Sequence, residues 1–219
     1  MLREQGKRSD SQAVVDKEID RLMRAARRLT PRGGLRPATV ATLIGLLYTT
    51  GVRIGEALSL DVGDIEQKDR ILVIRAGKLG KSRALPISDS TLEALCRYLD
   101  HPARCVGTEP SAPLFVSSRR RRLADPTSYH GFRAACRLSG IAEPWPRRHD
   151  LRHTFAVGRV ADWYAQGVDV DRRLPALSTY LGHVSVENTR RYLVANGMLL
   201  EHACGRFSEY SSVLDQVLS

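Results

Sequence analysis

Four short stretches of this 219-residue sequence hold side chains that could grip an anion or move a proton. In "TGVRIGEALSL", Arg53 and Glu56 stand three apart, so on a helical turn they share a face and the carboxylate can fix the guanidinium. Taken alone, the pair reads first as a surface ion pair at a helix start. In "AGKLGKSR", Lys78 occupies a glycine-flanked turn with Lys81 just beyond. An ammonium there can swing onto a phosphate or protonate a leaving oxygen; the bland alternative is a solubilising turn. In "RRHDLRHTFA", His149 and Arg152 share a helix face, and His153 lies one turn beyond His149. Two histidines at that spacing could ligate zinc, as in H-E-x-x-H. Asp150, however, occupies the glutamate position, and Arg152 would set a cation beside the metal. An imidazole next to a guanidinium suits an anionic substrate better, and no metal is expected. In "LGHVSVENTRRYL", Ser185 can cap a helix that begins at Val186 with Glu187 in its first turn. His183 then precedes the helix, and Tyr192 sits about two turns along it between the apolar stripe and Arg190 and Arg191. Tyr192 is either the aromatic anchor of the Val186 and Leu193 stripe or an oxygen nucleophile.

These residues need a scaffold. Val14, Val15, Ile19, Leu22 and Met23 recur at helical spacing, and "TPRGGLRP" breaks the pattern. A second helix is predicted from about Pro37 to a stop at Gly51, followed by a turn and a short helix that carries Arg53. "RILVIRAGKLGKSRALPI" reads as a β-hairpin in a sheet of two or three strands, with Lys78 at its tip. "DSTLEALCRYL" is helical, "HPARCVGTEPSAP" a loop, and "LFVSS" a short extended piece leading into Arg119, Arg120, Arg121 and Arg122. Further helices are predicted near 128–139, 150–166, 173–181, 186–194 and 208–217. The expected fold class is mostly α with a small antiparallel β-sheet, an α+β arrangement. No internal repeat is present, and the arginine run is either a phosphate contact or a solvated loop.

Charge narrows the partners. Lys plus Arg number 34 against 24 Asp plus Glu, a net +10 that favours a polyanion such as nucleic acid. No basic amphipathic stretch with an aromatic face supports a membrane surface instead. With 42% hydrophobic and 26% charged residues, the chain has the composition of one globular domain. Cys96, Cys105, Cys136 and Cys204 form no CxxC, so neither a zinc knuckle nor a disulfide framework is indicated. Buried thiols in a reducing cytoplasm are expected. With no membrane-length apolar run and no signal-peptide core, the expected location is cytoplasmic and nucleoid-associated.

The order of the motifs adds what none supplies alone. Arg53 with Glu56, a hairpin lysine, His149 with Arg152, then L-G-H at 181–183 and Tyr192 resembles the catalytic domain of the tyrosine recombinases, the phage-integrase family. The similarity covers about residues 14–195, through "TGVRIGEAL", "GKLGKSRALPI", "HDLRHTFA" and "LGHVSVENTRRYL". The polar residues 1–12 are expected to be a flexible segment, and the resemblance implies a catalytic domain over 13–200 and a helical segment over 201–219. In that last segment Tyr210, Val213, Leu214, Val217 and Leu218 line one side, to dock on a neighbouring protomer or to pack on their own domain.

The resemblance implies an enzyme that cuts and rejoins double-stranded DNA with neither metal nor nucleotide cofactor, as a homotetramer on its sites. Arg53 and Arg152 would clamp the phosphate, with Glu56 supporting Arg53. Tyr192 would attack phosphorus to give a 3′-phosphotyrosyl link. His149 would assist that proton transfer, Lys78 would protonate the departing 5′-oxygen with Lys81 as its competitor, and His183 would donate to a non-bridging oxygen. Lys81, Arg83, Arg119 to Arg122, Arg190 and Arg191 are expected to contact DNA. Only 52 residues precede Arg53, so the separate amino-terminal DNA-binding domain of the family is expected to be absent, in a catalytic fragment or a minimal member. The spacer between Arg152 and L-G-H is longer than usual for the family. The alternatives are a catalytically silent DNA-binding regulator of the same fold and a type IB topoisomerase-like relaxing activity.

Overall fold

The apolar run "ATVATLIGLLYTT" forms the helix around which the rest is built. The computed structural model describes residues 10–75, 82–182 and Thr189. Its helices are α1 (Asp10–Arg27), α2 (Leu35–Thr50), α3 (Ile54–Ser59), α4 (Asp89–Leu99), α5 (Asp125–Ser139), α6 (Arg148–Ala165) and α7 (Val170–Leu181). Val40, Leu43, Ile44, Leu46 and Leu47 are all at most 5% exposed, so α2 is buried nearly all round. That is the signature of a central helix rather than a surface one. It packs against α1, α4, α5 and α6. α1 begins at Asp10, inside the segment the sequence assigns to a flexible arm.

A short 3-10 turn at Val62–Asp64 leads into a three-stranded antiparallel meander of β1 (Ile65–Glu66), β2 (Ile71–Ile74) and β3 (Arg83–Pro86). Leu72 faces Leu85 and Ile74 faces Arg83 across β2 and β3. Leu72, Ile74 and Leu85 are at most 1% exposed, so one face of the sheet belongs to the core and pins the register. The hairpin expected from sequence is therefore present, and Arg83 stands where the chain re-enters the sheet. Lys78 and Lys81 lie outside the described residues.

α4 starts at Ser88, whose hydroxyl accepts the Thr91 N–H at 3.3 Å. In the following loop Arg104, only 1% exposed, donates to the carbonyls of Val106 at 2.8 Å, Gly107 at 3.0 Å and Pro113 at 2.8 Å. A buried cation is tolerable there because carbonyl dipoles replace water. "LFVSS" does not become a named strand. It contributes an isolated bridge from Val116 to Arg122, because the chain turns back on itself where the Ser117 N–H bonds the Arg121 carbonyl at 2.8 Å.

α7 is longer than the short element read near 173–181. Asp169 caps it by accepting the Arg172 N–H at 3.3 Å, and Pro175 sits inside it. In this second turn proline forfeits a single bond, the one to the Asp171 carbonyl, so the helix continues through it. The cysteines also depart from expectation. Cys136 is buried and its thiol pushed up to about 12 by that burial, whereas Cys96 is half-buried and Cys105 exposed in the loop. Cys204 and the helices expected at 186–194 and 208–217 fall outside the described residues, apart from the buried Thr189. No helix among the described residues is long and apolar enough to cross a membrane.

Candidate active site

The site begins at the end of α2. Gly51 adopts φ 62°, ends the helix, and donates its N–H to the Leu47 carbonyl at 2.9 Å. Two residues on, Arg53 sits at the N-cap of α3. Its N–H reaches Glu56 Oε2 at 2.9 Å and its Nη1 reaches Oε1 at 3.0 Å, so one carboxylate fixes both the backbone and the guanidinium. Far along the chain Arg152, 2% exposed on α6, donates Nη1 to the Gly51 carbonyl at 2.6 Å and Nη2 to the Leu181 carbonyl at 2.7 Å. Arg53 closes the arrangement, with Nη2 on the Gly182 carbonyl at 2.8 Å and Nη1 3.4 Å from that of Leu181. Both guanidiniums thus meet at the C-terminal end of α7, where unsatisfied carbonyls concentrate partial negative charge and attract cations. Arg53 keeps 28% of its side chain exposed, so the cluster stays open to an anion from solvent.

Gly51 has no tolerant replacement. A Cβ would stand 2.5 Å from Phe155 Cδ1 and 3.2 Å from Leu181 Cδ2, and the positive φ already disfavours any L side chain. Gly51→Ala is expected to cost about 2–4 kcal/mol from the left-handed conformation and overpacking together. For a domain of this size that lowers Tm by roughly 5–15 °C, readable by thermal denaturation. A melt within about 2 °C of wild type would show that the α2 terminus yields more easily than its contacts indicate.

His149 opens onto the same cluster from the first turn of α6. Its pKa is lowered by partial desolvation first, then by the Arg152 cation, with Arg147 and Arg53 adding to the effect and Asp150 opposing it. Positive charge from both arginines therefore reaches the imidazole, which is neutral at neutral pH and able to accept a proton. His153 packs edge-on against it, with ring centroids 4.2 Å apart at 76°. Burial, and then His149, bring the His153 pKa down to about 3. Asp150, 2% exposed, accepts the Arg147 N–H at 2.6 Å and caps the helix. The carboxylate read against the zinc motif is thus occupied by the helix terminus, and no group of three or more potential metal ligands occurs among the described residues.

Arg83 and Arg122, both expected to contact DNA, are bonded to protein acceptors, the first nearly buried and the second with its side chain 42% exposed. Arg83 is 12% exposed and makes a forked ion pair with Glu56, Nη1 to Oε1 at 2.9 Å and Nη2 to Oε2 at 2.8 Å. Arg122 donates to the carbonyls of Leu58 and Leu60 and pairs with Asp61. Arg119, Arg120 and Arg121 remain exposed at the turn, where Arg120 takes a positive φ of 58°. Burial alone would raise the Glu56 carboxyl, but the Arg83 hydrogen bond, the Arg53 N–H and both cationic charges outweigh it and hold the group below its usual range. His183, Arg190, Arg191 and Tyr192 lie outside the described residues. The site's backbone acceptors, the carbonyls of Gly51, Leu181 and Gly182, leave no side-chain signal in sequence; only the glycines after two helices mark them.

The phage integrase family model matches residues 12–197. The chain belongs to the phage integrase family. Among curated relatives, the putative integrase/recombinase y4rE of Sinorhizobium fredii is 37% identical over 194 residues, which is 88% of this chain and 63% of that protein. Tyrosine recombinase XerA of Pyrococcus furiosus is 28% identical, over 89% of this chain and 61% of that one. Of solved structures, XerA recombinase superposes with a TM-score of 0.64 at 28% identity, covering 85% of this chain and 63% of its own. XerH bound to its difH substrate superposes with a TM-score of 0.65 at 23% identity, over 86% and 51%, a likeness of fold. The mostly helical domain with a small antiparallel sheet is thus the catalytic-domain fold of these phage integrases. The chain spans about 63% of the y4rE length and 61% of the XerA length.

Proposed function

We propose that the chain is the catalytic unit of a site-specific DNA recombinase that breaks and rejoins strands through a tyrosine–3′-phosphate link. What carries this reading is the meeting of Arg53 and Arg152 at the Leu181 carbonyl, at the threshold of the L-G-H segment that leads to Tyr192. A phosphodiester under attack gathers charge on its non-bridging oxygens, and cations already held in place favour that state over the ground state. Two arginines so placed take the part that divalent metal plays in other phosphoryl transfers. Tyr192 attacks phosphorus, its proton passes toward the neutral His149, and His183 donates to a non-bridging oxygen. Lys78, or Lys81 beside it, protonates the 5′-oxygen as it leaves. The bond energy stays in the phosphotyrosine, so a 5′-hydroxyl can reseal the strand with no cofactor.

Double-stranded DNA is the partner, gripped through its backbone by Lys81, Arg190, Arg191 and the exposed Arg119, Arg120 and Arg121. XerH has been seen in a post-cleavage complex with a palindromic difH substrate, and lambda integrase as a tetramer on a Holliday junction. By that analogy four copies act on two sites. The segment 201–219, apolar along one side, docks on a neighbouring copy.

The test is a duplex nicked close to the cleavage point, so that the short product strand diffuses away and traps the intermediate. The protein should become covalently attached to the 3′-phosphate side, with or without EDTA, and mass spectrometry should place the DNA on Tyr192. Stable DNA binding with no adduct on any such substrate would instead make the chain a silent regulator. Relaxation of supercoiled plasmid carrying no paired sites would favour the topoisomerase-like activity.

A further inference from the structure

We propose that Arg83 is a positioning residue for strand cleavage: through the Glu56 carboxylate it sets the orientation of Arg53, and it holds the end of α7 against that pair. The proposal deepens the recombinase reading of the site and rests on it.

Glu56 is the hub. Its side chain is 8% exposed, and Oε1 accepts from Arg53 Nη1 at 3.0 Å and Arg83 Nη1 at 2.9 Å. Oε2 accepts from the Arg53 N–H at 2.9 Å and Arg83 Nη2 at 2.8 Å. Arg83 therefore presents the forked, planar geometry that a carboxylate matches best, which a lysine does not reproduce. Its remaining edge reaches α7, where Nε donates to the Tyr180 carbonyl at 2.8 Å. The contact is close: a Cβ on Gly182 would lie 2.9 Å from Arg83 Nη1 and 3.0 Å from Cζ. Gly182 is also the residue whose carbonyl receives Arg53 Nη2 at 2.8 Å. One guanidinium thus joins β3, the start of α3 and the last turn of α7, with Arg53 bonded to two of the same three places. The sheet strand that follows the hairpin lysines is tied to the phosphate clamp by this residue.

All three nitrogens of the Arg83 guanidinium donate to protein acceptors, two of them to a carboxylate that neutralises its charge, so it is spent on the protein. Losing a phosphate contact weakens DNA binding and flattens its salt dependence. Losing a positioning contact leaves binding intact and slows the bound complex, since small misplacements of a catalytic group cost rate.

The experiment uses the full chain and the nicked duplex, with cleavage followed in single turnover at saturating protein and affinity measured on intact duplex across a salt series. Arg83→Gln is expected to slow adduct formation about 10–100-fold, with Kd within about twofold and the salt slope unchanged. Arg83→Lys should be slowed as well, because charge without the fork does not restore the geometry. On a Glu56→Gln background Arg83→Gln should slow cleavage much less than it does in the wild type, leaving only the α7 contact to lose, as expected of residues acting in part through one another. Amide hydrogen exchange across residues 176–182 should quicken in Arg83→Gln. Weaker binding with a reduced salt slope and an unchanged cleavage rate would overturn the proposal in favour of a phosphate contact. If Arg83→Gln does not fold, the decision passes to Arg83→Lys, where a wild-type rate overturns it. If the wild type itself forms no adduct, the recombinase reading fails separately. The exchange measurement then decides, with wild-type protection at 176–182 in Arg83→Gln counting against Arg83.

Discussion

Tyr192→Phe should bind duplex DNA as the wild type does and yield no covalent adduct, a loss beyond the range of a gel assay. The substitution removes one oxygen from a side chain whose ring is otherwise kept, so any part it plays in packing persists. Phenol, with a pKa near 10, is a poor nucleophile at neutral pH unless cations stabilise its anion and a base stands by to take its proton. On the proposed reading Arg53 and Arg152 would supply the cations, and His149, whose pKa its surroundings lower, would supply the acceptor. With phenylalanine the clamp has nothing to activate. The check is a denaturing gel of protein and end-labelled nicked duplex alongside a native binding gel. A retarded covalent species formed by Tyr192→Phe would locate the nucleophile elsewhere and require a different chemistry.

Arg152→Gln should lower adduct formation by about 10³-fold or more, the scale reported by removing a charged stabiliser from a phosphoryl-transfer centre. It should also destabilise the fold. The guanidinium bonds the carbonyls of Gly51 and Leu181 from a site 2% exposed, and glutamine, shorter and with both its N–H donors on one nitrogen, does not span the two. Leaving buried acceptors unpaired costs about 1–3 kcal/mol each. The two effects separate by temperature. Cleavage measured well below the variant's melting point, on protein whose circular dichroism matches wild type, isolates the catalytic part. A cleavage rate within about tenfold of wild type under those conditions would remove Arg152 from the phosphate clamp.

Much of this site is legible in the sequence. The stop at Gly51 followed from an apolar helical run meeting glycine, and Arg53 with Glu56 from their spacing. His149 and Arg152 share a face because a helix places them there. What spacing does not carry is the identity of a distant partner. Glu56 takes its second cation from Arg83 across 27 positions of sequence, and nothing in "GKSRALPI" separates an arginine turned inward from one offered to DNA. The arginine run has the same difficulty: all four residues are exposed, and Arg122 pairs with Asp61 because the chain reverses at Ser117. α7 begins three residues before the element expected near 173–181 because the Asp169 carboxylate caps its first turn.

The carbonyls that close α7 tie two duties together. Gly182 offers its oxygen to Arg53 and is covalently followed by His183, and Leu181 offers its own to Arg152. Any displacement of the end of α7 therefore shifts an acceptor of each guanidinium at once, so Arg53 and Arg152 are anchored or released together.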